Sequence, residues 1–374
     1  MSIYLDNNAT APIRPEAKAA ALAALGLGAN PSSTHAAGRA ARAVIEQARS
    51  EIADLASVPA SAVTFVSGGA EANALAMESA MGGGCERIIV GATEHETVWA
   101  SAHALCAKPE IWPVDRRGLP DLDWLENALR RDGRALVCLM AANNETGVIQ
   151  PVAEVARAVR EAGGWLHVDA VQAAGKVSLD LAELGADTLA LSGHKLGGPQ
   201  GIGALICDAS AALIRRQHGG GQERGRRAGT ENLSGIAGFG AAAKAAARDL
   251  PAADEQAVWR DGLAARLEGV GAEVMGKGGP RLAQTLCVAM EGFSSEVQVM
   301  ALDLAGVMIS AGAACSSGKV KASRVVEAMG RRDLATSSIR VSGGWASSET
   351  DWRGCGDAWM DAFERHAARR KEFA

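Results

Sequence analysis

The sequence lacks the features that define several large classes of protein. Its formal net charge is −5, whereas a dedicated nucleic-acid-binding protein is usually strongly basic. No stretch offers 18 uninterrupted apolar residues, so no transmembrane helix is predicted. The N-terminus lacks the apolar core of a signal peptide. We therefore expect a cytoplasmic protein that binds neither nucleic acid nor membrane.

Paired cysteines and aromatic residues are also scarce. The seven cysteines form no C-x-x-C pair and no zinc-like spacing, which indicates free thiols in a reducing compartment and no intrinsic metal site. Aromatic residues make up only 4% of the chain, but hydrophobic residues make up 48%, enough to bury a large core. With 374 residues, the chain is expected to form two domains.

Short apolar runs alternate with helical patterns from about residue 60 to residue 210. The predicted strands are 63–66, 87–90, 136–140, 165–168, 188–191 and 203–207. This alternation favours an α/β fold, in which helices cover both faces of a parallel sheet. Pro251 is a candidate hinge, and a mixed pattern with strands at 286–290, 307–309 and 339–341 follows it. We predict a large domain over 12–250 and a small domain over 1–11 and 251–374.

Polar clusters follow four of the predicted strands, at the edge where open parallel sheets bind ligands. One of them, Ser67-Gly68-Gly69-Ala70, opens a helix, and a glycine turn at a helix N-terminus can bind a phosphate group. By itself this pattern is more often an ordinary strand-to-helix turn. Several such clusters on one edge indicate a binding site.

Lys195 is the most informative residue in these clusters. It follows the strand at 188–191 among glycines, and a lysine so placed can form a Schiff base with an aldehyde. Asp169 follows the neighbouring strand and could pair with a pyridinium nitrogen. Together with a phosphate-binding turn, these residues predict pyridoxal 5'-phosphate as the cofactor. The alternative is a surface lysine beside a helix-capping aspartate.

Nine motifs along the chain carry a family resemblance. They are YLDNNATAP (4–12), NPSSTHAAGRAAR (30–42), ATEHETV (92–98), NNETG (143–147), HVDAVQAAGK (167–176), SGHKLGGPQGIGAL (192–205), HGGGQERGRRAGTEN (218–232), SAGAACSSG (310–318) and SSIRVSGG (337–344). In these motifs the chain resembles the cysteine desulfurases of the nitrogen-fixation and iron–sulfur-cluster type, within the class V aminotransferase family. The resemblance implies a fold-type I pyridoxal-phosphate transferase, with a mostly parallel seven-stranded sheet in the large domain and a smaller α+β domain.

The resemblance also implies roles for residues around the cofactor ring. Lys195 would form the Schiff base, Asp169 would hold the pyridinium nitrogen and Gln172 would bind the phenolic oxygen. His95 would stack on the ring and move protons, and Asn144 would contact both cofactor and substrate.

A second implied group binds the phosphate. It comprises Gly69, Ala70, Ser192 and His194, together with Thr230 from a partner subunit, which implies a homodimer. Ala70 departs from the family, which usually has a threonine there. The backbone donors remain but one hydroxyl is lost, so weaker cofactor binding is expected.

The remaining implied residues act on the substrate. Asn30 and Arg340 would bind its carboxylate, and Cys315 would accept its sulfur atom. Cys315 lies in the small-residue segment AGAACSSG, where nothing is large enough to bury the thiol. Cys315 could also ligate a cluster transiently, together with a scaffold partner.

The predicted function is therefore the conversion of L-cysteine to L-alanine, with a persulfide on Cys315 that supplies iron–sulfur cluster assembly or another sulfur transfer. The expected partners are L-cysteine, a second copy of the chain and an iron–sulfur scaffold or other sulfur-acceptor protein. Two enzyme alternatives are a selenocysteine lyase and a class V transaminase in which Cys315 is incidental. A third alternative is a catalytically silent interaction protein on the same fold.

Overall fold

A computed structural model describes residues 2–252, 254–312 and 322–372. Its strands are β1 (Ile3–Tyr4), β2 (Val63–Val66), β3 (Arg87–Gly91), β4 (Glu110–Trp112), β5 (Ala135–Met140), β6 (Trp165–Asp169), β7 (Thr188–Ser192), β8 (Gly203–Cys207), β9 (Glu273–Val274), β10 (Thr285–Ala289), β11 (Val307–Met308), β12 (Ser310–Ala311) and β13 (Ser338–Ser342).

Its α-helices are α1 (Pro15–Leu27), α2 (Ala36–Leu55), α3 (Gly69–Gly82), α4 (Glu96–Leu105), α5 (Leu122–Leu129), α6 (Val152–Glu161), α7 (Leu181–Leu184), α8 (Leu233–Asp249), α9 (Asp254–Glu268), α10 (Ser295–Leu304), α11 (Arg324–Ala328) and α12 (Glu349–Glu372). Among the described helices, none combines the length and the apolar character needed to cross a membrane.

A seven-stranded sheet forms the centre of the larger part, with the strand order β2-β8-β7-β6-β5-β3-β4. The strands from β7 to β4 are parallel, whereas β8 runs antiparallel to both of its neighbours. Each strand predicted before residue 210 is present, with ends that differ by at most one residue. The predicted α/β fold with a mostly parallel seven-stranded sheet is confirmed.

Helices cover both faces of this sheet. Along β3, Ile89 packs into a cluster with residues of α2 and α8, while Ile88 and Val90 pack into a second cluster with residues of α3 and α4. Side chains alternate between the two faces of a strand, so a strand buried on both faces consists of apolar residues throughout. The short apolar runs of the sequence follow from this double burial.

A four-stranded antiparallel sheet, with the order β12-β13-β10-β9, organises the smaller part. It packs with α9, α10 and α12 around a separate apolar cluster that includes Phe293, Trp352 and Trp359. The N-terminal strand β1 pairs in parallel with β11. Residues from both ends of the chain therefore meet beside the small sheet, and the exact boundary between the two domains stays a prediction.

Candidate active site

A cavity of about 710 Å³ opens at the carboxyl ends of β5, β6 and β7. This volume lies in the range of about 300–1,000 Å³ that is typical of small-molecule sites. The predicted site residues on its wall are Gly69, Ala70, His95, Asn144, Asp169, Gln172, Ser192, His194, Lys195 and Arg340. Distant motifs of the sequence thus converge on one cavity.

Three predicted site residues do not contribute to this wall. Asn30 is exposed in the loop after α1, where its side chain accepts a 2.8 Å hydrogen bond from the backbone of Ser32. Thr230 is exposed and lines a neighbouring cavity of about 200 Å³. Cys315 lies outside the described residues. The proposed roles of all three stay predictions.

Lys195 ends a short 3₁₀ turn that directly follows β7. Its Nζ atom donates hydrogen bonds to the carbonyl oxygens of Asn8, at 2.5 Å, and Ala9, at 2.8 Å. Burial and the nearby charge of Arg340 lower the pKa of Lys195 to about 8. A lowered pKa increases the fraction of neutral amine, which is the nucleophilic form of lysine.

Asp169 is held at the end of β6 by two donors. Its Oδ1 atom accepts a 3.0 Å bond from the backbone N–H of Val171, and its Oδ2 atom accepts a 2.8 Å bond from Asn73. The Oδ1 atom of Asn73 lies 3.0 Å from Nε2 of His167, and burial lowers the pKa of that histidine to about 4. A neutral His167 that donates to Asn73 fixes the amide, which in turn fixes the Asp169 carboxylate.

His95 caps the N-terminus of α4 and also borders the cavity. Its Nδ1 atom accepts a 3.2 Å bond from the backbone N–H of Thr97 and lies 2.9 Å from the Thr97 hydroxyl. The same hydroxyl accepts a 2.9 Å bond from Asn73, so Asn73 supports both His95 and Asp169. Desolvation lowers the pKa of His95, which favours a neutral ring that can stack on an aromatic ligand.

The first turn of α3 is open towards a ligand. Its N-cap residue, Gly68, offers no side-chain cap, so backbone N–H groups of the first turn remain available to an anion. At Gly69, a Cβ atom would lie 2.9 Å from the Val171 side chain, which would have to shift to admit any other residue. Ala70 contributes a backbone N–H to this turn but no hydroxyl.

Arg340 lies in the middle of β13 and is 7% exposed. Its guanidinium forms a 2.7 Å ion pair with Asp6 and donates a 3.2 Å bond to the carbonyl oxygen of Asn144. The Nε atom has no hydrogen-bond partner among the described residues. A planar guanidinium at the cavity wall suits the recognition of a carboxylate.

The loop that carries Thr230 is tied to the edge of the large sheet by a buried ion pair. Arg49 donates two hydrogen bonds to Glu223, at 2.7 and 2.8 Å, and the same carboxylate accepts a 2.8 Å bond from the backbone N–H of Phe65 in β2. Glu223 has a φ of +47°, a left-handed conformation that non-glycine residues adopt only when their surroundings hold them there. The ion pair supplies that restraint.

The donors and acceptors of the cavity fit pyridoxal phosphate. The Asp169 carboxylate suits a protonated ring nitrogen, the N–H groups at the start of α3 suit a phosphate, and the Lys195 amine suits an aldehyde. These three groups come from three different strand ends of one sheet edge.

The sequence patterns do not reveal three residues that organise this site. Asn8 accepts the bond from Lys195, Asn73 supports Asp169, and Lys176 donates a 2.7 Å bond to Gln172. Asn8 and Lys176 lie inside recognised motifs and Asn73 lies in α3, but their partners are distant in sequence or are themselves site residues. Only the folded arrangement shows what these side chains contact.

Comparisons with known proteins identify the family. Residues 3–351 match the model of the family described as aminotransferase class-V. The chain belongs to the class V aminotransferase family. A cysteine desulfurase from Frankia sp. strain EuIK1 is 40% identical to it, with 95% of this chain and 90% of the relative covered.

Solved structures of family members agree with this assignment. The NifS-like protein from Rickettsia africae ESF-5 superposes with a TM-score of 0.89 at 30% identity and covers 97% of this chain and 100% of its own. SspA in complex with cysteine superposes with a TM-score of 0.80 at 28% identity and covers 91% and 98%. The predicted family resemblance is confirmed.

Proposed function

We propose that the protein is a pyridoxal-phosphate-dependent cysteine desulfurase of the cytoplasm, which converts L-cysteine to L-alanine and transfers the sulfur atom to Cys315. One observation carries the proposal: the amine of Lys195, with a pKa lowered to about 8, lines the same cavity as Asp169 and Arg340. The relatives named cysteine desulfurase support the choice of substrate.

The residues of the cavity have separate tasks in holding the cofactor. Asp169 would pair with the ring nitrogen and Gln172 with the phenolic oxygen, while the start of α3, with Ser192 and His194, would bind the phosphate. When bound, pyridoxal phosphate supplies an electron sink for negative charge at the α-carbon of an amino acid. Thr230 is exposed and does not line the candidate cofactor cavity of its own chain. We therefore propose that it reaches the phosphate bound by a second copy, in a homodimer.

The protein's own groups position the substrate and move its protons and sulfur. Arg340 holds the carboxylate of L-cysteine, and Lys195 as a neutral amine removes the α-proton. Cys315 as a thiolate bonds to the substrate sulfur while the bond between that sulfur and Cβ breaks, which leaves a persulfide on the enzyme. The electron pair of the broken bond stays with Cβ, and protonation of Cβ and then of the α-carbon gives L-alanine. The outer sulfur then passes to an acceptor thiol on a partner protein such as an iron–sulfur scaffold.

The test is incubation of the purified holoenzyme with L-cysteine, followed by measurement of alanine and sulfide with and without a thiol reductant. We expect alanine in both cases and free sulfide mainly with reductant, with one added sulfur atom on the Cys315 peptide by mass spectrometry. Cys315→Ser should bind the cofactor normally but make no alanine. Alanine at the wild-type rate from Cys315→Ser would instead indicate a lyase in which Cys315 is incidental, and conversion of L-cysteine to its 2-oxo acid would indicate a transaminase.

A further inference from the structure

Lys176 is a half-buried lysine whose amine lies between Gln172 and Asn8. Its Nζ atom donates hydrogen bonds to Oε1 of Gln172, at 2.7 Å, and to Oδ1 of Asn8, at 3.1 Å. Within residues 2–252, 254–312 and 322–372, no carboxylate forms an ion pair with it. Burial, together with the charges of Lys195 and Arg340, lowers its pKa to about 7. Partial burial of an amine without a counter-charge is unfavourable, so a role beyond packing is indicated.

We infer that Lys176 is a positioning residue that fixes the side-chain amide of Gln172, so that Gln172 presents N–H rather than carbonyl oxygen to the cofactor. The inference rests on the proposed function, because it assigns Gln172 to the phenolic oxygen. In its protonated form the amine can only donate hydrogen bonds, so below its pKa of about 7 it selects the amide orientation in which Oε1 faces it.

A second contact selects the same orientation. The Nε2 atom of Gln172 donates a 2.9 Å bond to the carbonyl oxygen of Asn8. A flipped amide would place two donors opposite each other at Lys176 and two acceptors opposite each other at Asn8. In the observed orientation, the second Nε2 hydrogen has no acceptor among the described residues, and Gln172 lines the cavity. That hydrogen is the one available to a ligand oxygen.

Asn8 provides the rigid frame for this arrangement. Its side-chain N–H groups donate to the carbonyl oxygen of Asn144, at 3.2 Å, and to the hydroxyl of Thr285, at 3.0 Å. The backbone carbonyl oxygen of Asn8 accepts hydrogen bonds from both Gln172 and Lys195. Asn8 cannot turn without breaking these bonds. The acceptor for Nε2 of Gln172 is therefore fixed, and Lys176 fixes the opposite, Oε1 side of the same amide.

The test uses Lys176→Met, which keeps much of the side-chain length but removes the ammonium group, with Lys176→Arg as the conservative variant and Lys18→Met as a control at an exposed lysine. Two quantities are measured: the dissociation constant of pyridoxal phosphate and the visible absorption band of the bound cofactor across pH. We expect Lys176→Met to bind about tenfold more weakly, or ~1.4 kcal/mol, with a displaced band. Lys176→Arg should restore most of the binding, and Lys18→Met should match the wild type.

A double variant separates positioning from general damage. Gln172→Ala should weaken binding by itself, and Lys176→Met/Gln172→Ala should bind no more weakly than Gln172→Ala alone, since Lys176 acts through Gln172. The inference would be overturned if the double variant bound pyridoxal phosphate more weakly than Gln172→Ala by the factor seen in Lys176→Met alone. An unchanged dissociation constant and an unchanged absorption band in Lys176→Met would overturn it as well. A wild type that binds the cofactor with the expected pattern of variants but makes no alanine from L-cysteine would refute the desulfurase proposal and leave the positioning role intact.

Discussion

The buried ion pair between Arg49 and Glu223 yields a quantitative prediction. Arg49 is 1% exposed and Glu223 is 3% exposed, so water cannot replace a lost partner. Glu223→Gln keeps the shape of the side chain but removes the buried carboxylate, which leaves the guanidinium only the partly exposed Glu46, 3.2 Å from its Nε atom. Removal of one partner from a buried pair costs about 3–5 kcal/mol. Arg49 keeps a 3.0 Å bond to the Val63 carbonyl and its position over the Phe65 ring, so we expect ~3 kcal/mol, near the lower limit of that range.

The assay is urea unfolding of the cofactor-free protein, followed by circular dichroism at one fixed protein concentration. The matched control is Glu349→Gln, because Glu349 pairs with Arg353 at 2.6 Å on the surface. Exposed pairs contribute less than ~1 kcal/mol, so this variant should unfold near the wild-type midpoint.

The double variant Arg49→Met/Glu223→Gln tests the physical cause. If the cost arises because the buried guanidinium has lost its buried partner, removal of the guanidinium should recover at least half of the lost free energy of unfolding. The reasoning is refuted if Glu223→Gln costs no more than the surface control, or if the double variant is less stable than Glu223→Gln alone.

Three further predictions concern the site. Ala70→Thr should bind pyridoxal phosphate at least about tenfold more tightly than the shape-matched Ala70→Val, because the hydroxyl adds one charge-assisted hydrogen bond of about 1.5–3 kcal/mol. Equal dissociation constants would show that a hydroxyl at position 70 does not bind the phosphate. Burial raises the pKa of Glu94 from 4.5 to about 8, so folding takes up a proton between these values. The wild type should therefore lose stability relative to Glu94→Gln as pH rises through this window, by up to ~1.4 kcal/mol per pH unit. If the free energies of unfolding of the two proteins, measured with urea, change in parallel with pH, this prediction is wrong. Lys195→Ala should lose the visible band of the lysine-bound cofactor and all activity, yet regain activity in mixed dimers with Thr230→Ala subunits; no recovery in verified heterodimers would argue against a shared site.

The central sheet was predictable because each buried strand is a short apolar run. The edge strand β4 (Glu110–Trp112) was not predicted, because it has only three residues and a polar first position. The apolar run at 307–309 is also interpreted differently by the structure. Its first two residues form β11 and pair with β1, whereas Ser310 and Ala311, just beyond the predicted run, form the separate strand β12 and pair with β13. A pattern of apolar residues indicates that a segment is buried but does not predict which strand it pairs with.

The candidate site was predictable where a residue follows a strand directly, as Asp169 and Lys195 do. Supporting residues were not predictable, because their role depends on neighbours from other elements. Asn73 contacts Thr97 of α4 and both His167 and Asp169 of β6, two separate segments of the sequence. Without the folded chain, its amide is indistinguishable from any polar group in a helix.

The position of Asn8 has a consequence for how the protein is made. Its backbone N–H donates to the hydroxyl of Ser342, 334 residues later, and Asn7 bonds to the carbonyl oxygen of the same serine. At about 5–20 residues per second, the ribosome needs on the order of tens of seconds to deliver that partner. The carbonyl oxygens that orient Lys195 are therefore synthesised long before the residue that locks them in place. Nascent chains should accordingly acquire the ability to bind the cofactor only when β13 has left the ribosome.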